Sequence, residues 1–152
     1  MKRVYGLAAV LAVAIGSGAA QALDAPAAIK DRQDFYKDLG KSMKGLMEEF
    51  KNSSPNVAEL KKFSANIDAA APKIPSLFPA GTGPEAGVKT SAKAEIWQKP
   101  DEFKKDAADM AAAAHTLNVA AQSGDAAAIK DAAGKLGETC KGCHQTFREK
   151  EH

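Results

Sequence analysis

The segment Cys-Lys-Gly-Cys-His at residues 140–144 holds both cysteines of the chain and one of its three histidines. Two thiols at this spacing can close a disulfide, form a thioredoxin-like redox pair, contribute to a metal site or accept a prosthetic group. Each use asks for different surroundings. A thioredoxin-like pair belongs in a βαβ setting, whereas the pattern around these residues is helical. Zinc asks for four ligands, and His115 and His152 lack a spacing that would complete the set. Cys-x-x-Cys-His is also the attachment signature of c-type haem. Residues three apart on a helix share a face, so Cys140 and Cys143 can reach two vinyl groups along one edge of a flat macrocycle. His144 lies one turn beyond Cys140, and its imidazole suits iron as an axial ligand. Lys141 and Gly142 point away, and Gly142 leaves room beside the ring. A disulfide or a metal site is the alternative use of the pair.

The elements that must position this segment are legible from punctuation and periodicity. The 152 residues suggest one domain. Residues 1–22 do not belong to it. Lys2 and Arg3 precede a short run rich in Ala and Gly, and Ala20-Gln21-Ala22 closes it, the pattern of a cleaved secretory signal. A membrane span would need roughly 20 strongly apolar residues. The mature domain is therefore 23–152, soluble and periplasmic. Without Lys2 and Arg3, the 21 basic residues fall to 19, equal to the 19 acidic ones. A neutral chain lacks the concentrated basic face of a nucleic-acid binder.

Helix signals divide the domain into four helices. The first runs from about Pro26 to Phe50, capped by Asp24, with Ile29, Tyr36, Met43 and Phe50 spaced by seven as its inward stripe. The second begins near Pro55, shows Val57, Leu60, Phe63 or Ser64, and Ile67, and ends before Pro72. A long irregular stretch reaches Lys99, with a short helical turn at 94–97. Pro100 and Asp101 open the third helix, whose stripe is Phe103, Ala107, Met110, Ala114, Leu117 and Ala121; Gly124 stops it. Asp125 caps the fourth, whose stripe is Ile129, Ala133, Leu136, Cys140, Cys143 and Phe147. The two cysteines thus lie on the inward face. The expected fold is all-α, an antiparallel four-helix bundle with a long second connection and covalently attached haem c.

The run Lys30-Asp-Arg-Gln-Asp-Phe-Tyr36, the segment Ala94-Glu-Ile-Trp97 and the ending Cys140-Lys-Gly-Cys-His-Gln-Thr-Phe-Arg-Glu-Lys150 together resemble the class II c-type cytochromes, the cytochrome c prime family. The resemblance covers nearly all of 23–152. It implies that Cys140 and Cys143 carry the thioethers, that His144 is the proximal ligand of the iron, and that Arg148 lies by the proximal face. It also implies that Arg32 and Gln33 meet a haem propionate, which a guanidinium binds through paired donors. The blander readings are a solvated helix charge for Arg32, a surface arginine favoured by the helix dipole for Arg148, and a core tryptophan for Trp97, which otherwise packs near the propionate edge.

In the low-spin members of that family a methionine of the first helix takes the distal position; in the high-spin members a bulky residue fills it without ligating. Counted from Arg32 and Gln33, the residue here is Tyr36. A neutral phenol is a poor iron ligand, and ionising it in an apolar pocket is costly from a starting pKa of about 10. Tyrosinate ligation, as in catalase-like sites, is the exception. Tyr36 therefore reads as a lid over the distal face. Pro75-Ser-Leu-Phe-Pro79 and the chain end resemble the low-spin relatives, but Met43 lies two turns from Tyr36, about 11 Å along a helix. Met43 and Met47 read as core, His115 as a half-exposed structural residue and His152 as a tail.

The expected function is one-electron carriage between redox partner proteins by a five-coordinate haem able to bind NO or CO. The alternatives are a gas-binding or NO-protective protein, and a six-coordinate low-spin carrier with a methionine ligand. No acid–base pair or nucleophile is arranged for turnover, so no enzymatic activity is expected. Relatives pair through their first two helices, and a homodimer is one option; the charged Lys37, Lys41, Lys44 and Lys51 leave a monomer or weak dimer equally open. Mass spectrometry of the exported protein, denatured in acidic organic solvent, should find a chain starting at Leu23 with the haem mass still bonded. A bare polypeptide from a host competent in cytochrome maturation would refute the attachment.

Overall fold

The computed structural model describes residues 24–150, so the expected signal, its cleavage after Ala22 and His152 fall outside the described residues. Four long helices make the bundle: α1 (Ala25–Glu49), α2 (Val57–Ala70), α3 (Pro100–Ser123) and α4 (Ala126–Phe147). Among the described residues there is no strand; an isolated antiparallel bridge joins Ala92 and Arg148.

Three of the four helix starts are fixed by side-chain caps. The Asp24 carboxylate accepts from the Ala27 amide at 3.1 Å, the Asn56 carbonyl oxygen from Ala58 and Glu59 at 3.0 and 3.4 Å, and the Asp125 carboxylate from Ala127 and Ala128 at 2.9 and 3.3 Å. Each satisfies amides that have no partner within the helix. No side chain caps α3. Pro100 supplies its first residue, where a missing N–H costs nothing, and Asp101 and Glu102 complement the dipole. Gly124, at φ 76°, ends α3 in the left-handed region. Asp125 starts α4 immediately after, so the two helices turn back on each other over two residues.

The expected stripe of α3 is the observed one: Phe103, Ala107, Met110, Ala114, Leu117 and Ala121 are all buried. On α4, Ile129, Ala133, Leu136 and Phe147 are buried with Ala132, and Cys140 and Cys143 are partly buried against the core. On α2 the choice between Phe63 and Ser64 falls to Ser64, fully buried with its hydroxyl unpartnered.

α1 departs from expectation. Its buried residues are Ile29, Arg32, Leu39 and Leu46, whereas Tyr36, Met43 and Phe50 are only partly buried. The last three of that buried set repeat by seven on a line turned toward α2. Met47, expected in the core, is 47% exposed. The reason lies in the packing: α1 rests on α2 and on the segment after it, α2 on α3, and α3 on α4, but α1 makes no extended backbone contact with α4 among the described residues. The Tyr36–Met43 line therefore borders an opening between the first and last helices. His115, expected half-exposed, has a side chain 70% exposed, with Nδ1 3.4 Å from the Asp68 carboxylate.

The chain after α2 is more ordered than its prolines suggested. Residues Ala71–Leu77 continue the helix axis as a 3-10 helix through Pro72 and Pro75. Proline's fixed φ is compatible with 3-10 geometry. The expected turn at 94–97 is present as Glu95–Gln98.

Leu117 is fully buried, so Leu117→Ala should lower unfolding free energy by about 2–5 kcal/mol in urea titrations. Asp125→Ala removes two cap bonds and should cost about 1 kcal/mol.

Candidate haem site

The last two turns of α4 carry the attachment segment. Both cysteine sulfurs are unbridged in the structure, and among the described residues no group of three or more His, Cys, Asp or Glu side chains is placed to hold a metal ion. Burial raises the pKa of the Cys140 thiol. That of Cys143 is pushed up to about 11 by burial, then by the carboxylate of Asp106 and by Cys140. A redox-active pair has a depressed pKa that supplies thiolate, so these thiols do not suit dithiol exchange. His144 is exposed on the outer flank, yet its ring is partly desolvated, which with the Arg148 cation lowers its pKa. The imidazole is thereby held neutral, the form that ligates metal.

The helix ends on a clasp. Arg148 leaves α4 in extended conformation, φ −121° and ψ 133°. Its neighbours pair with the connector: the Lys93 amide donates to the Phe147 carbonyl at 3.0 Å and the Glu149 amide to the Ser91 carbonyl at 2.8 Å. The clasp ties the chain end that carries Arg148 to the segment entering the Glu95–Gln98 turn.

Arg32 is 3% exposed, which overturns its reading as a solvated helix charge. Its two terminal nitrogens grip the connector. One donates to the Thr82 hydroxyl at 3.0 Å and the Leu77 carbonyl at 3.4 Å; the other donates to the Thr82 carbonyl and the Thr90 hydroxyl, both at 2.9 Å. The guanidinium lies 4.6 Å from the centre of the Phe78 ring, a cation–π distance. It has no acidic partner among the described residues. Next to it, the Gln33 amide donates to the Lys89 carbonyl at 3.0 Å. Arg32 and Gln33 are thus brought together on the connector. Thr82, Thr90 and Phe78 are site residues that sequence reasoning missed; threonines in a loop carry no signal that they will face a buried cation.

Tyr36 follows one turn after Arg32. Its ring meets Phe35 edge-on at 5.5 Å and Phe78 at 6.2 Å. From Phe78 the aromatic line continues to Phe103 at 4.9 Å and on to Phe147 at 5.3 Å, crossing from α1 through the connector and α3 to α4. Trp97 also meets Phe78 at 6.2 Å, and its indole N–H is shared between the Phe78 and Pro79 carbonyls at 3.2 and 3.1 Å. It is a half-buried strut of the connector. Gly83 lies beneath it, where a Cβ would come within 2.9 Å of the indole and closer still to the Glu85 carboxylate.

The Tyr36 phenol is pushed well above its ordinary pKa. Burial is the main cause, and the Cys143 and Cys140 thiols add to it; the Arg32 and Arg148 cations oppose it.

These features fit haem c. The two sulfurs lie on one helix face, partly buried, beside a neutral imidazole. The aromatic line runs from α1 to α4, which make no extended backbone contact with each other among the described residues. The buried Arg32 cation has no acidic partner among the described residues, and haem would bring two carboxylates. The residues that would hold it are Cys140, Cys143 and His144, with Arg32 toward a carboxylate.

The family model described as Cytochrome C' matches residues 27–148. The chain is similar to the cytochrome c' of Pararhodospirillum photometricum, 45% identical over 122 residues that cover 80% of this chain and 95% of the relative. It superposes on the crystal structure of cytochrome c' from Thermochromatium tepidum with a TM-score of 0.78 at 30% identity, covering 84% of this chain and 98% of that one. A second solved cytochrome c', described as having an unusual ligand-controlled dimer dissociation, gives a TM-score of 0.79 at 31% identity, with 85% and 99% covered.

The raised pKa of Tyr36 has a consequence for stability at high pH. Below about pH 10 the phenol is protonated in folded and unfolded chains alike, and it contributes no pH dependence. Above that pH the unfolded chain has lost the proton and the folded one retains it, so stability falls as pH rises. In a chain beginning at Leu23, the start expected from the sequence, Tyr36 is the sole tyrosine. Its tyrosinate absorbance should therefore stay flat through pH 10 and rise together with the loss of helical circular dichroism. A reversible ionisation near pH 10 with the helices intact would show the phenol to be solvated.

Proposed function

The chain belongs to the cytochrome c' family and carries haem c, and we propose that it is a periplasmic one-electron carrier whose iron is left open on the side that Tyr36 covers. The haem supplies a ferric–ferrous couple and a coordination position that NO or CO can take. Everything else is the work of this chain's residues. Cys140 and Cys143 hold the group by thioethers, and the rigid helix between them sets its edge. His144 is the protein ligand to the iron, kept neutral by desolvation and by Arg148. Arg148, whose backbone is fixed by the clasp at the end of α4, would place a cation on that same side. Arg32 offers a buried positive charge to a haem carboxylate, and Gln33 stands beside it.

The observation that carries this reading is Tyr36. This neutral phenol, held by Phe35 and Phe78, stands by its spacing from Arg32 and Gln33 at the position where low-spin relatives would carry a methionine. With haem bound, it would exclude water and bulky ligands without bonding to iron. Met43 borders the same opening but lies two turns further along α1, about 11 Å away. The low-spin alternative would need α1 to slide by that distance, against the Arg32 bonds that tie it to the connector.

Gas binding is supported by the same residue, because a side chain that covers without ligating can yield to a diatomic. Electron transfer and gas capture are then two uses of one open position. A second copy can be received at the α1–α2 face, where a shallow groove of about 220 Å³ is lined by Phe35, Leu39, Ser42 and Ala70 among others. Among the described residues no helix is long and apolar enough to cross a membrane.

The purified protein should show a five-coordinate, high-spin haem spectrum. Tyr36→Met should convert it toward a low-spin spectrum with a sulfur–iron charge-transfer band. That band in the unaltered protein, or no change on substitution, would place some other residue over the iron.

A further inference from the structure

We propose that Trp97 is an oxidisable site of this protein, which gives one electron to hydrogen peroxide reduced at the iron and gives it by way of Phe78. The inference rests on the open-iron reading above and adds a substrate class, peroxide, to the same site.

A site that admits diatomic gases also admits hydrogen peroxide, which has two heavy atoms. Peroxide differs in taking two electrons, whereas haem iron exchanges one at a time. The second must come from a side chain or from the macrocycle, at the cost of the macrocycle. The chain has a single tryptophan, and it is built into the aromatic line. Its ring meets Phe78 edge-on with centroids 6.2 Å apart, and Phe78 meets Tyr36 at 6.2 Å. Two ring contacts thus join the residue over the iron to a half-buried indole. Phe78 can bridge but not donate. A benzene ring yields an electron far less readily than an indole does, and the Arg32 guanidinium 4.6 Å from its centre opposes positive charge there.

The surroundings of Trp97 have the opposite sign. Its N–H donates to the Phe78 and Pro79 carbonyls at 3.2 and 3.1 Å, so two carbonyl dipoles turn their negative ends to the ring nitrogen. Loss of an electron makes that N–H a charged donor, and hydrogen bonds from charged donors are stronger. A Cβ on Gly83 would come 2.3 Å from a Glu85 carboxylate oxygen and 2.9 Å from the indole. Both groups close on one point, so the carboxylate stands beside the ring. The Gly83 amide steadies it by donating to the other Glu85 oxygen at 3.2 Å. An opposite charge close by favours the charged form of a group. Positive charge is therefore resisted at Phe78 and received at Trp97. Packing alone gives no reason for an acid at the ring's edge.

The step balances with peroxide as the only added reagent. Ferrous iron gives one electron and Trp97 the other. Hydrogen peroxide takes both, with two protons from solvent; its O–O bond breaks and two waters leave. The iron ends ferric and the indole ends as a cation radical beside Glu85.

The test adds hydrogen peroxide to the ferrous holoprotein without air. Freeze-quenched samples should show an indole radical by electron paramagnetic resonance, and peptide mapping after exposure to air should find oxygen added at Trp97. Trp97→Phe keeps a ring in the connector and should lose the radical, while its haem absorbance bleaches severalfold faster. Glu85→Gln leaves the indole in place and should lower the radical yield severalfold, a response that a structural strut would not give. Saturation with carbon monoxide should protect Trp97. Oxygen on the exposed Met47 thioether, 47% exposed, with none on Trp97 overturns the inference, since thioethers react with peroxide directly. So does equal oxidation of Trp97 with and without carbon monoxide. Either result leaves the open-iron reading intact if carbon monoxide binds. A ferrous protein that takes up no carbon monoxide overturns that reading, and the inference with it.

Discussion

A guanidinium buried without an acidic partner among the described residues holds this molecule's long connector to its first helix. Taking a cation out of water costs several kcal/mol even after relaxation. Four hydrogen bonds from Arg32 to Leu77, Thr82 and Thr90 and the Phe78 face offset part of that cost, since bonds to a charged group contribute about 1.5–3 kcal/mol each. They leave the charge itself unbalanced. The connector thus depends on Arg32 for its path, and Arg32 depends on an anion for its comfort. A cofactor with two carboxylates answers that need. Folding of the connector and retention of the haem are, on this view, two halves of one equilibrium, and binding stabilises the fold by mass action.

The same connector reaches the other end of the site. From Thr90 it passes directly to the bridge at Ala92 and Arg148, so the arginine of α1 and the arginine after α4 are separated by a few residues of extended backbone. Phe78 at its start links Tyr36 to Phe103 and Phe147. The segment that looked like a loop is the piece that sets the mutual position of the distal lid, the attachment helix and the two cations. The four helices give the site its walls; the connector gives it its registration.

How much of this was legible in the residues depends on the kind of interaction. Caps are local, and Asp24 and Asp125 announced the starts of α1 and α4 by type and place alone. The stripe of α3 was legible because every member is apolar and no charge interrupts it. The attachment segment was legible because its chemistry demands a fixed spacing on one helix face. α1 was misjudged for a physical reason: its most buried line runs through Arg32, and an arginine looks like surface until its partners are known. With Arg32 left out of the inward stripe, the apolar residues alone pointed to the 36–43–50 line, which is only partly buried. Met47 shows the converse, an apolar side chain exposed where no neighbouring helix covers it. The persistence of helix past Pro72 and Pro75 was hidden because proline stops an α-helix interior but suits a 3-10 turn. Thr82 and Thr90 could not have been found, since the bonds they accept span 50 and 58 residues.

The displaced stripe has a functional meaning beyond the error. Had α1 packed its 36–43–50 line inward against α4, the bundle would have closed and left no space for a flat group. Turning the buried line toward α2 leaves Tyr36 at the rim of the gap, where it is desolvated enough to keep its proton and exposed enough to be displaced. The energy that holds α1 in that rotation comes from Arg32 and its connector, at one turn's distance from Tyr36. A lid mounted so close to its own hinge point can move only by straining the Arg32 bonds or by swinging its ring past Phe78. Small ligands need only the second motion. A protein ligand drawn from further along α1 would need the first. The difference between those two motions is what inclines this helix toward covering the iron instead of binding it.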